Sequence, residues 1–307
     1  MGAIEVREFI LRILVSGASG LVGTALSAFL RNKGHEVHAL VRHKPDPAKK
    51  EVGWDPFAGV LDASRLDGFD SVVHLAGESL ASRWTDVKKK AILDSRVRGT
   101  RMLSEVVSLL PQKPKVFVSA SAVGFYGARG DEVLDESSSP GTGFLPDVCR
   151  QWEDAASYAR DAGISTVSLR TGIILSSKGG ALARMLTPFK WGAGGVVGSG
   201  KQWMSWISLT DEAAAIHHAL TTDLSGPVNL TAPNPVTNGE FTKTLGKVLG
   251  RPAVFPLPGF VVKLLFGEMG DELLLKGQKV LPKKLTVSGF RFFHPDLESA
   301  LRFELGD

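Results

Sequence analysis

Residues 9–41 of this 307-residue chain read FILRILVSGASGLVGTALSAFLRNKGHEVHALV. The segment opens with an apolar run rich in Ile, Leu and Val, which is typical of a buried strand. The glycine-rich stretch GASGLVG (17–23) follows, and the next residues place apolar side chains at helical spacing until Gly34 ends the pattern. VHALV (37–41) is a second apolar strand. This order of strand, glycine loop, helix and strand predicts the start of a βαβ unit.

The same alternation continues along the chain. Apolar strands are predicted at 71–77, 115–121 and 165–175, and helices at 83–110 and 146–162. Strands that are apolar on both faces and separated by helices indicate a parallel sheet covered on both sides. The predicted fold class is therefore α/β, a Rossmann-type doubly wound parallel sheet with a smaller, mainly helical C-terminal domain.

The later sequence differs in composition, which predicts a division into domains. The stretch after residue 177 is rich in glycine, and the end of the chain holds short helical patterns and many prolines. We expect an NAD(P)-binding Rossmann domain at 1–232 and a C-terminal substrate or lid domain at 233–307. Residues 178–204 are expected to contribute to the substrate lid.

The composition excludes several classes of protein. Hydrophobic residues make up 43% and charged residues 22% of the chain, which is ordinary for a globular protein. The net charge of +4 is spread along the sequence, so we expect no nucleic-acid binding. The single cysteine, Cys149, excludes an intramolecular disulfide and fits a reducing compartment. No segment resembles a targeting signal or a membrane span, so we expect a cytoplasmic protein with no membrane partner and no metal site. The oligomeric state is left open.

The glycine spacing points to a dinucleotide. Gly17 permits the tight turn, Gly20 lets a pyrophosphate approach the backbone, and Gly23 lets the helix pack closely on the strand. The N–H groups at the helix start suit phosphates. An NAD(H) site would have an acid at the end of the second strand, whereas this chain has Arg42, which can form a bidentate pair with a 2′-phosphate. The sequence therefore favours NADP(H) over NAD(H), and the alternative for Arg42 is a solvated loop residue.

These motifs resemble the extended short-chain dehydrogenase/reductase superfamily, the NAD(P)-dependent epimerase/dehydratase group. The similarity rests on GASGLVG (17–23), HLAG (74–77), SASAVGFYG (119–127) and GPVNLTAPNPVTNGEF (226–241). Residues 273–301 resemble the C-terminal domain of an atypical branch described as sugar-nucleotide-epimerase-like and sometimes as cell-division inhibitor. The cofactor-binding residues implied are Gly17, Ala18, Ser19, Gly20, Leu21, Val22, Gly23, Arg42, Leu75, Ala76, Gly77 and Glu78.

The resemblance also implies a catalytic Ser and a Tyr-x-x-x-Lys pair, in which the Lys lowers the pKa of the Tyr so that it exchanges a proton during hydride transfer. Ser121 matches the serine. Tyr126 and Tyr158 are the only tyrosines, and neither has Lys four residues later. In the aligned helix, Leu145 takes the place of the tyrosine and Cys149 that of the lysine. The usual proton-transfer pair is therefore absent.

Other residues are candidates for the site. Arg96 stands where the superfamily has an asparagine. The residues that match the catalytic positions are therefore mostly changed, whereas the cofactor-binding motifs are intact. An aromatic ring and a cation together, as in the glycine-rich segment, can bind a nucleotide or an acidic substrate. The predicted catalytic residues are Ser121 and Tyr126, and the predicted substrate contacts are Arg170, Lys201 and Trp206. The alternative for Trp206 is a place in the core, and that for Cys149 is a buried helix thiol.

Two functions fit these residues. The first is an NADP(H)-binding, epimerase-family oxidoreductase acting on a small polar substrate, either nucleotide-linked or free. The second is a non-catalytic dinucleotide-binding sensor or regulatory protein. The glycine loop, Ser121 and the C-terminal domain favour the enzyme, and the missing pair favours the sensor. In either case the ligand is expected at the carboxyl ends of the strands.

Overall fold

A computed structural model describes residues 10–306. The predicted absence of a targeting signal and the predicted strand start at Phe9 fall outside these residues. The strands are β1 (Arg12–Ser16), β2 (Glu36–Val41), β3 (Glu51–Asp55), β4 (Val60–Leu61), β5 (Ser71–His74), β6 (Val116–Ala122), β7 (Val133–Leu134), β8 (Ser165–Thr171), β9 (Ile173–Leu175), β10 (Trp203–Met204), β11 (Trp206–Ser208), β12 (Gly226–Leu230), β13 (Val236–Thr237) and β14 (Lys279–Val280).

The α-helices alternate with these strands. They are α1 (Leu21–Asn32), α2 (Asp86–Ser108), α3 (Phe144–Asp154), α4 (Ser157–Asp161), α5 (Gly180–Lys190), α6 (Leu209–Thr221), α7 (Asn238–Leu249), α8 (Gly259–Phe266), α9 (Glu268–Gly270), α10 (Lys283–Val287) and α11 (Leu297–Leu305). Short 3₁₀ turns occupy Pro47–Lys49, Ala63–Arg65 and Val123–Tyr126, and a π-helical turn occupies Asp271–Leu275.

One sheet of eight strands organises the molecule, in the order β12-β8-β6-β5-β1-β2-β3-β4. All neighbouring strands are parallel except β3 and β4, which are antiparallel. The chain builds outward from β1 through β2, then returns to pair β5 with the other edge of β1. The predicted doubly wound α/β fold is confirmed. The strand order reverses between β1 and β5, and folds of this class bind ligands at such a point.

The alternation of side chains along β1 shows how the sheet is covered. Ile13 and Val15 enter an apolar cluster with α1 and α6 on one face. Leu14 enters a second cluster with α2 and α4 on the other. All three side chains are completely buried. Because both faces are covered, the strands have the continuous apolar sequences that predict them.

Three elements differ from the prediction. The sequence does not predict the β3–β4 hairpin, because Pro and charged residues surround it, yet Trp54 of β3 is buried in the core. The helix expected at 146–162 is divided into α3 and α4. The strand expected at 165–175 breaks at Gly172, where a Cβ would lie 2.4 Å from the Ser205 carbonyl oxygen. After this break β9 leaves the main sheet and pairs with β11.

The C-terminal region packs against the carboxyl side of the sheet. Strand β14 pairs with β7, and the side-chain amide of Gln202 donates to the Leu274 carbonyl at 2.9 Å. The domain limits 1–232 and 233–307 stay predictions. Within residues 10–306, no helix combines the length and apolar character that crossing a membrane requires.

Candidate functional site

The glycine loop between β1 and α1 packs so closely on neighbouring backbone that two of its positions have no space for a side chain. Gly17 has a φ of +69°, and a Cβ there would lie 2.9 Å from the backbone nitrogen of Ala76. A Cβ on Gly23 would lie 2.2 Å from the Gly17 carbonyl oxygen. Glycine is therefore required at both positions, at the first for the turn and at the second for the close approach of α1.

A buried pair of side chains supports this loop from below. Ser16 Oγ and His74 Nδ1 share a hydrogen bond of 2.6 Å, and Ser16 Oγ also accepts from the backbone N–H of Leu75 at 3.1 Å. Burial lowers the pKa of His74 to about 4, so the ring is neutral at physiological pH. The contact joins the ends of β1 and β5 at the point where the strand order reverses.

A cleft of about 930 Å³ lies above this junction. Its walls include most of the predicted cofactor residues, namely Gly17, Ala18, Ser19, Gly20, Arg42, Leu75, Ala76, Gly77 and Glu78. Leu21, Val22 and Gly23 are not among the residues lining it. Leu21 instead approaches Gly179 and Gly180 at the start of α5. The structure therefore brings the separate sequence motifs together around one elongated cleft.

Cations gather at the end of the cleft next to β2. Arg42 is exposed directly after β2, and Arg31 and Lys49 also line the cleft. Neither arginine forms a hydrogen bond or an ion pair with any residue in the range 10–306. Lys49 lies 3.6 Å from Asp46. The sequence does not point to Arg31 and Lys49, because only the fold places the last turn of α1 and the turn after β2 beside Arg42.

A second, smaller cavity of about 210 Å³ lies beyond the carboxyl ends of β6 and β8. Most of its lining side chains are apolar, and its polar lining includes Arg96, Cys149, Thr171, Ser205, Glu272, Lys276 and Gln278. The backbone carbonyl of Glu78, whose residue lines the large cleft, accepts a hydrogen bond from Arg96 at 3.0 Å. Arg96, which lines the small cavity, therefore contacts a residue that lines the large cleft.

Ser121 belongs to a buried polar network behind this cavity. Its hydroxyl donates to Glu153 Oε1 at 2.7 Å. Two N–H groups of Arg170 donate to the two oxygens of Glu153, each at 2.8 Å. A third donates to the Tyr126 hydroxyl at 3.0 Å, which in turn donates to Asn229 Oδ1 at 2.7 Å. The arrangement is a bidentate, nearly fully hydrogen-bonded ion pair.

This network changes the interpretation of two predicted residues. Tyr126 is completely buried, and burial raises the pKa of its hydroxyl. Its predicted catalytic role stays a prediction, and its packing argues against that role. Arg170 is balanced by Glu153 and covered by the Phe125 ring, so its burial argues against the predicted substrate contact, which stays a prediction.

The glycine-rich segment also places its residues differently from expectation. Trp206 is completely buried, and its indole N–H donates to the Asn234 carbonyl at 3.1 Å. The ring fills the core, as the alternative interpretation proposed, and this argues against the predicted substrate contact, which stays a prediction. Lys201 is exposed and lines neither of the two cavities, so its role stays a prediction. Trp203 lines the small cavity instead, with its ring beneath Lys279.

The residues that replace the Tyr–Lys pair both line the small cavity. Leu145 has no proton to exchange. Burial, together with the negative charge of Glu153, raises the pKa of Cys149 to about 12, so the thiol is neutral at physiological pH. Cys149 is thus a buried helix thiol, the alternative that the sequence leaves open. Both aligned positions therefore line the cavity, as expected for the catalytic pair, but the side chains there lack the proton-transfer chemistry of Tyr and Lys.

Known proteins share this architecture. The profile of the NAD dependent epimerase/dehydratase family matches residues 13–230. The chain belongs to this family. A domain of unknown function (DUF1731) matches residues 257–304, in agreement with the branch that the C-terminal sequence resembles.

Three relatives cover nearly the whole chain. An epimerase family protein of Mycobacterium bovis, Mb2239, is 43% identical over 95% of this chain and 96% of its own. The crystal structure of human SDR39U1 (isoform 2) with NADPH has a TM-score of 0.88 and 36% identity, covering 97% of this chain and 100% of that one. A nucleoside-diphosphate sugar epimerase of Corynebacterium glutamicum has a TM-score of 0.81 and 39% identity, covering 97% of this chain and 59% of that one.

Proposed function

We propose that this chain is an NADP(H)-dependent oxidoreductase of the epimerase family whose substrate is a small carbonyl compound or the corresponding alcohol. The observation that carries the proposal is a cleft lined by the glycine loop that lies next to a separate small cavity, with Arg96 of the small cavity bonded to Glu78 of the cleft. The loop residues Gly17, Ala18, Ser19 and Gly20 line the large cleft, so a pyrophosphate can approach the backbone there. The human relative that binds NADPH supports the choice of cofactor.

The cations beside β2 are the basis for the cofactor preference. Neither Arg42 nor Arg31 lies within ion-pair distance of a carboxylate among residues 10–306. A site for an unphosphorylated ribose would present a free acid, whereas Glu51, which lines the cleft nearby, already accepts from the Asp46 N–H at 2.9 Å and pairs with His43 at 3.2 Å. We therefore expect the 2′-phosphate of NADP(H) to lie between the two arginines. Because the site is solvent-exposed, screening limits the gain to about one or two factors of ten in affinity.

The cavity volume argues against a nucleotide-linked substrate. A space of about 210 Å³ is smaller than the ~300–1,000 Å³ typical of pockets that enclose a large organic ligand. A nucleoside diphosphate sugar consists of a base, two sugars and a diphosphate, which need several times this volume. We therefore propose that the substrate is a free small molecule and not the nucleoside diphosphate sugar that the name of the C. glutamicum relative indicates.

Lys276 is the group that we assign to proton transfer. Bound NADPH would supply a hydride to a substrate carbonyl carbon, whose C=O electron pair then moves to the oxygen. Lys276 lines the cavity, and its hydrogen bonds to Glu272 at 2.6 Å and to Asp271 at 3.1 Å raise its pKa, so Nζ holds a proton at neutral pH. This proton completes the alcohol, and solvent can restore it because the side chain is 38% exposed.

A specific observation supports the sensor as a second candidate. Leu145 and the neutral thiol of Cys149 occupy the positions of the usual catalytic pair, and Ser121 is committed to Glu153. A sensor would bind the cofactor with the same preference but would catalyse no turnover. The enzyme and the sensor therefore differ in the expected rate of NADPH oxidation but not in the expected cofactor affinity.

Calorimetric titration tests the cofactor assignment. NADPH should bind at least about tenfold more tightly than NADH, and Arg42→Ala should reduce that ratio without changing the affinity for NADH. Lys44→Ala, which removes a nearby exposed cation, is the matched control. Equal affinities for both cofactors in the unaltered protein would overturn the assignment.

A turnover screen distinguishes enzyme from sensor. NADPH oxidation would be followed with small aldehydes, ketones and oxo acids and, separately, with nucleotide sugars. We expect turnover only with the small compounds, and Lys276→Met should lower its rate at least about tenfold while NADPH affinity is kept. Tight NADPH binding with no oxidation of any compound would favour the sensor, and rapid turnover of a nucleotide sugar would contradict the size argument.

A further inference from the structure

Arg96 carries a buried positive charge that has no carboxylate within ion-pair distance among residues 10–306. The residue lies on α2, lines the small cavity and is only 9% exposed. Its guanidinium lies above the Trp152 ring, 4.9 Å from the ring centre. Nη1 donates to the carbonyl oxygens of Glu78 at 3.0 Å and Ile92 at 3.2 Å. These contacts fix the plane of the guanidinium but supply no negative charge.

The nearby carboxylates already have other partners. Glu78 binds Lys88 at 2.6 Å, and Glu153 binds Arg170 at 2.8 Å. No carboxylate within residues 10–306 lies in ion-pair distance of Arg96. Arg170 offers a comparison, because it is also buried but has a bidentate partner. An unpaired buried cation is costly, so its retention beside a cavity points to an anionic ligand.

The free donors of Arg96 match a planar anion. A guanidinium has five N–H groups, and the described contacts of Arg96 use only those on Nη1. Nε and Nη2 are left, and together they form the fork that binds a carboxylate through two parallel hydrogen bonds. The desolvated surroundings strengthen such a pair and also lower the pKa of the guanidinium while no anion is bound.

The remaining walls define the rest of the ligand. Leu145, Val148, Ile173 and Leu273 provide apolar surface, and Lys276 lies in the same cavity. A ligand that fits has one anionic group, a polar atom near Lys276 and a short apolar chain. A divalent phosphate would place more charge in the small cavity than Arg96 alone balances.

We propose that the substrate is a small oxo acid or hydroxy acid with a short apolar chain, and that Arg96 binds its carboxylate. The inference rests on the proposed function for the presence of a reacting carbonyl, whereas the carboxylate assignment rests on Arg96 alone. It makes Arg96 the residue that determines specificity, at the position where the superfamily has an asparagine.

Binding without turnover tests this assignment. The full-length protein, loaded with NADP⁺, would be titrated with 2-oxobutanoate, 2-oxopentanoate and 2-oxohexanoate, and with 2-oxopentanamide as the neutral match. Calorimetry and the fluorescence of Trp152 and Trp203, which both line the cavity, report binding. We expect 2-oxopentanoate to bind at least about tenfold more tightly than the amide. Arg96→Met should remove this difference, and Arg96→Lys should restore part of it.

Arg98→Gln is the matched control, because it removes an exposed positive charge from the same helix. It should leave both affinities unchanged, and circular dichroism would establish that each variant is folded. Equal binding of acid and amide, no binding of any of the acids, or unchanged acid binding in Arg96→Met would each overturn the proposal. A loss of NADP⁺ affinity in Arg96→Met larger than the loss of acid affinity would assign Arg96 to the cofactor instead. Failure of the proposed function is separate, since it would appear as absent NADP⁺ binding or as NADPH binding with no turnover of any compound in the unaltered protein.

Discussion

Glu212 is a buried carboxyl group beside the wall of the small cavity. Its Oε1 accepts a hydrogen bond from the Thr171 hydroxyl at 2.9 Å, and Thr171 lines the cavity. Its Oε2 has no hydrogen-bond partner in the described part of the chain. Burial raises the pKa of Glu212 to about 8, so the carboxyl is neutral at pH 7. The energetic reason is that an unpaired buried carboxylate costs more than its protonated form.

This residue predicts a pH-dependent stability. The folded pKa of about 8 lies above the ordinary glutamate value of 4.5, so folded protein holds a proton that unfolded protein releases. The contribution of Glu212 to the free energy of unfolding is full below about pH 4.5. It decreases as the pH rises to about 8, by at most ~1.4 kcal/mol per pH unit. Glu212→Gln mimics the protonated form, so it should remove this decrease. Relative to the unaltered protein, the variant should therefore be more stable at pH 8 than it is at pH 5.

Urea unfolding of both proteins from pH 5 to pH 8.5 measures the difference. Glu304→Gln is a useful control, because burial also raises the pKa of that residue although it is only partly buried. We expect Glu304→Gln to change the pH dependence of the unfolding free energy less than Glu212→Gln does. If the difference in unfolding free energy between Glu212→Gln and the unaltered protein were constant over this range, Glu212 would be ionised in the folded state.

At the scale of elements, the loop between β1 and α1 depends on two glycines for different reasons. Gly17 combines a positive φ with close backbone neighbours, and Gly23 has only the close neighbours. Gly34, which follows the end of α1, has a φ of +86°, but a Cβ there would meet no atom within 4 Å. These three positions separate the cost of backbone conformation from the cost of collision.

Alanine substitutions measure the two costs. Gly34→Ala should lower the free energy of unfolding by about 1–2 kcal/mol, the cost of a left-handed conformation, and leave NADPH binding unchanged. Gly17→Ala adds a collision with the backbone of Leu75 and Ala76, so it should destabilise more and weaken NADPH binding at least about tenfold. Denaturant unfolding and calorimetry give the two quantities. Unchanged NADPH affinity in Gly17→Ala would show that the cofactor does not lie against this loop.

At the scale of the whole molecule, the small cavity is built from segments distant in sequence. Arg96 comes from α2, Cys149 from α3 and Lys276 from the C-terminal region. Ser205 holds the C-terminal wall in place, since its hydroxyl donates to the Gln278 carbonyl at 2.7 Å and accepts from the Val280 N–H at 2.9 Å. The cavity therefore requires the C-terminal region, which is consistent with the predicted role of that region in enclosing the substrate.

The cofactor half of the site can be predicted because its determinants are local. The strand, the turn and the helix start of residues 12–23 follow each other directly, and the glycine spacing reflects contacts within that unit. Arg42 is predicted by the same reasoning, from its place at the end of β2. Parallel sheets bring the carboxyl ends of their strands to one edge, so the motif at 74–77 can be assigned to the same cleft.

The substrate half was decided only by tertiary structure. Trp206 and Arg170 have the chemistry of ligand contacts, yet neighbours from other segments bury both side chains. In the sequence Arg96 stands out only as a replaced asparagine, and its missing counter-ion becomes evident once every nearby carboxylate has been placed. Charge balance and enclosed volume depend on residues far apart in the chain, whereas backbone turns and strand periodicity depend on neighbours. The sequence by itself therefore determined the fold and the dinucleotide cradle, and long-range packing determined what the remaining cavity can accept.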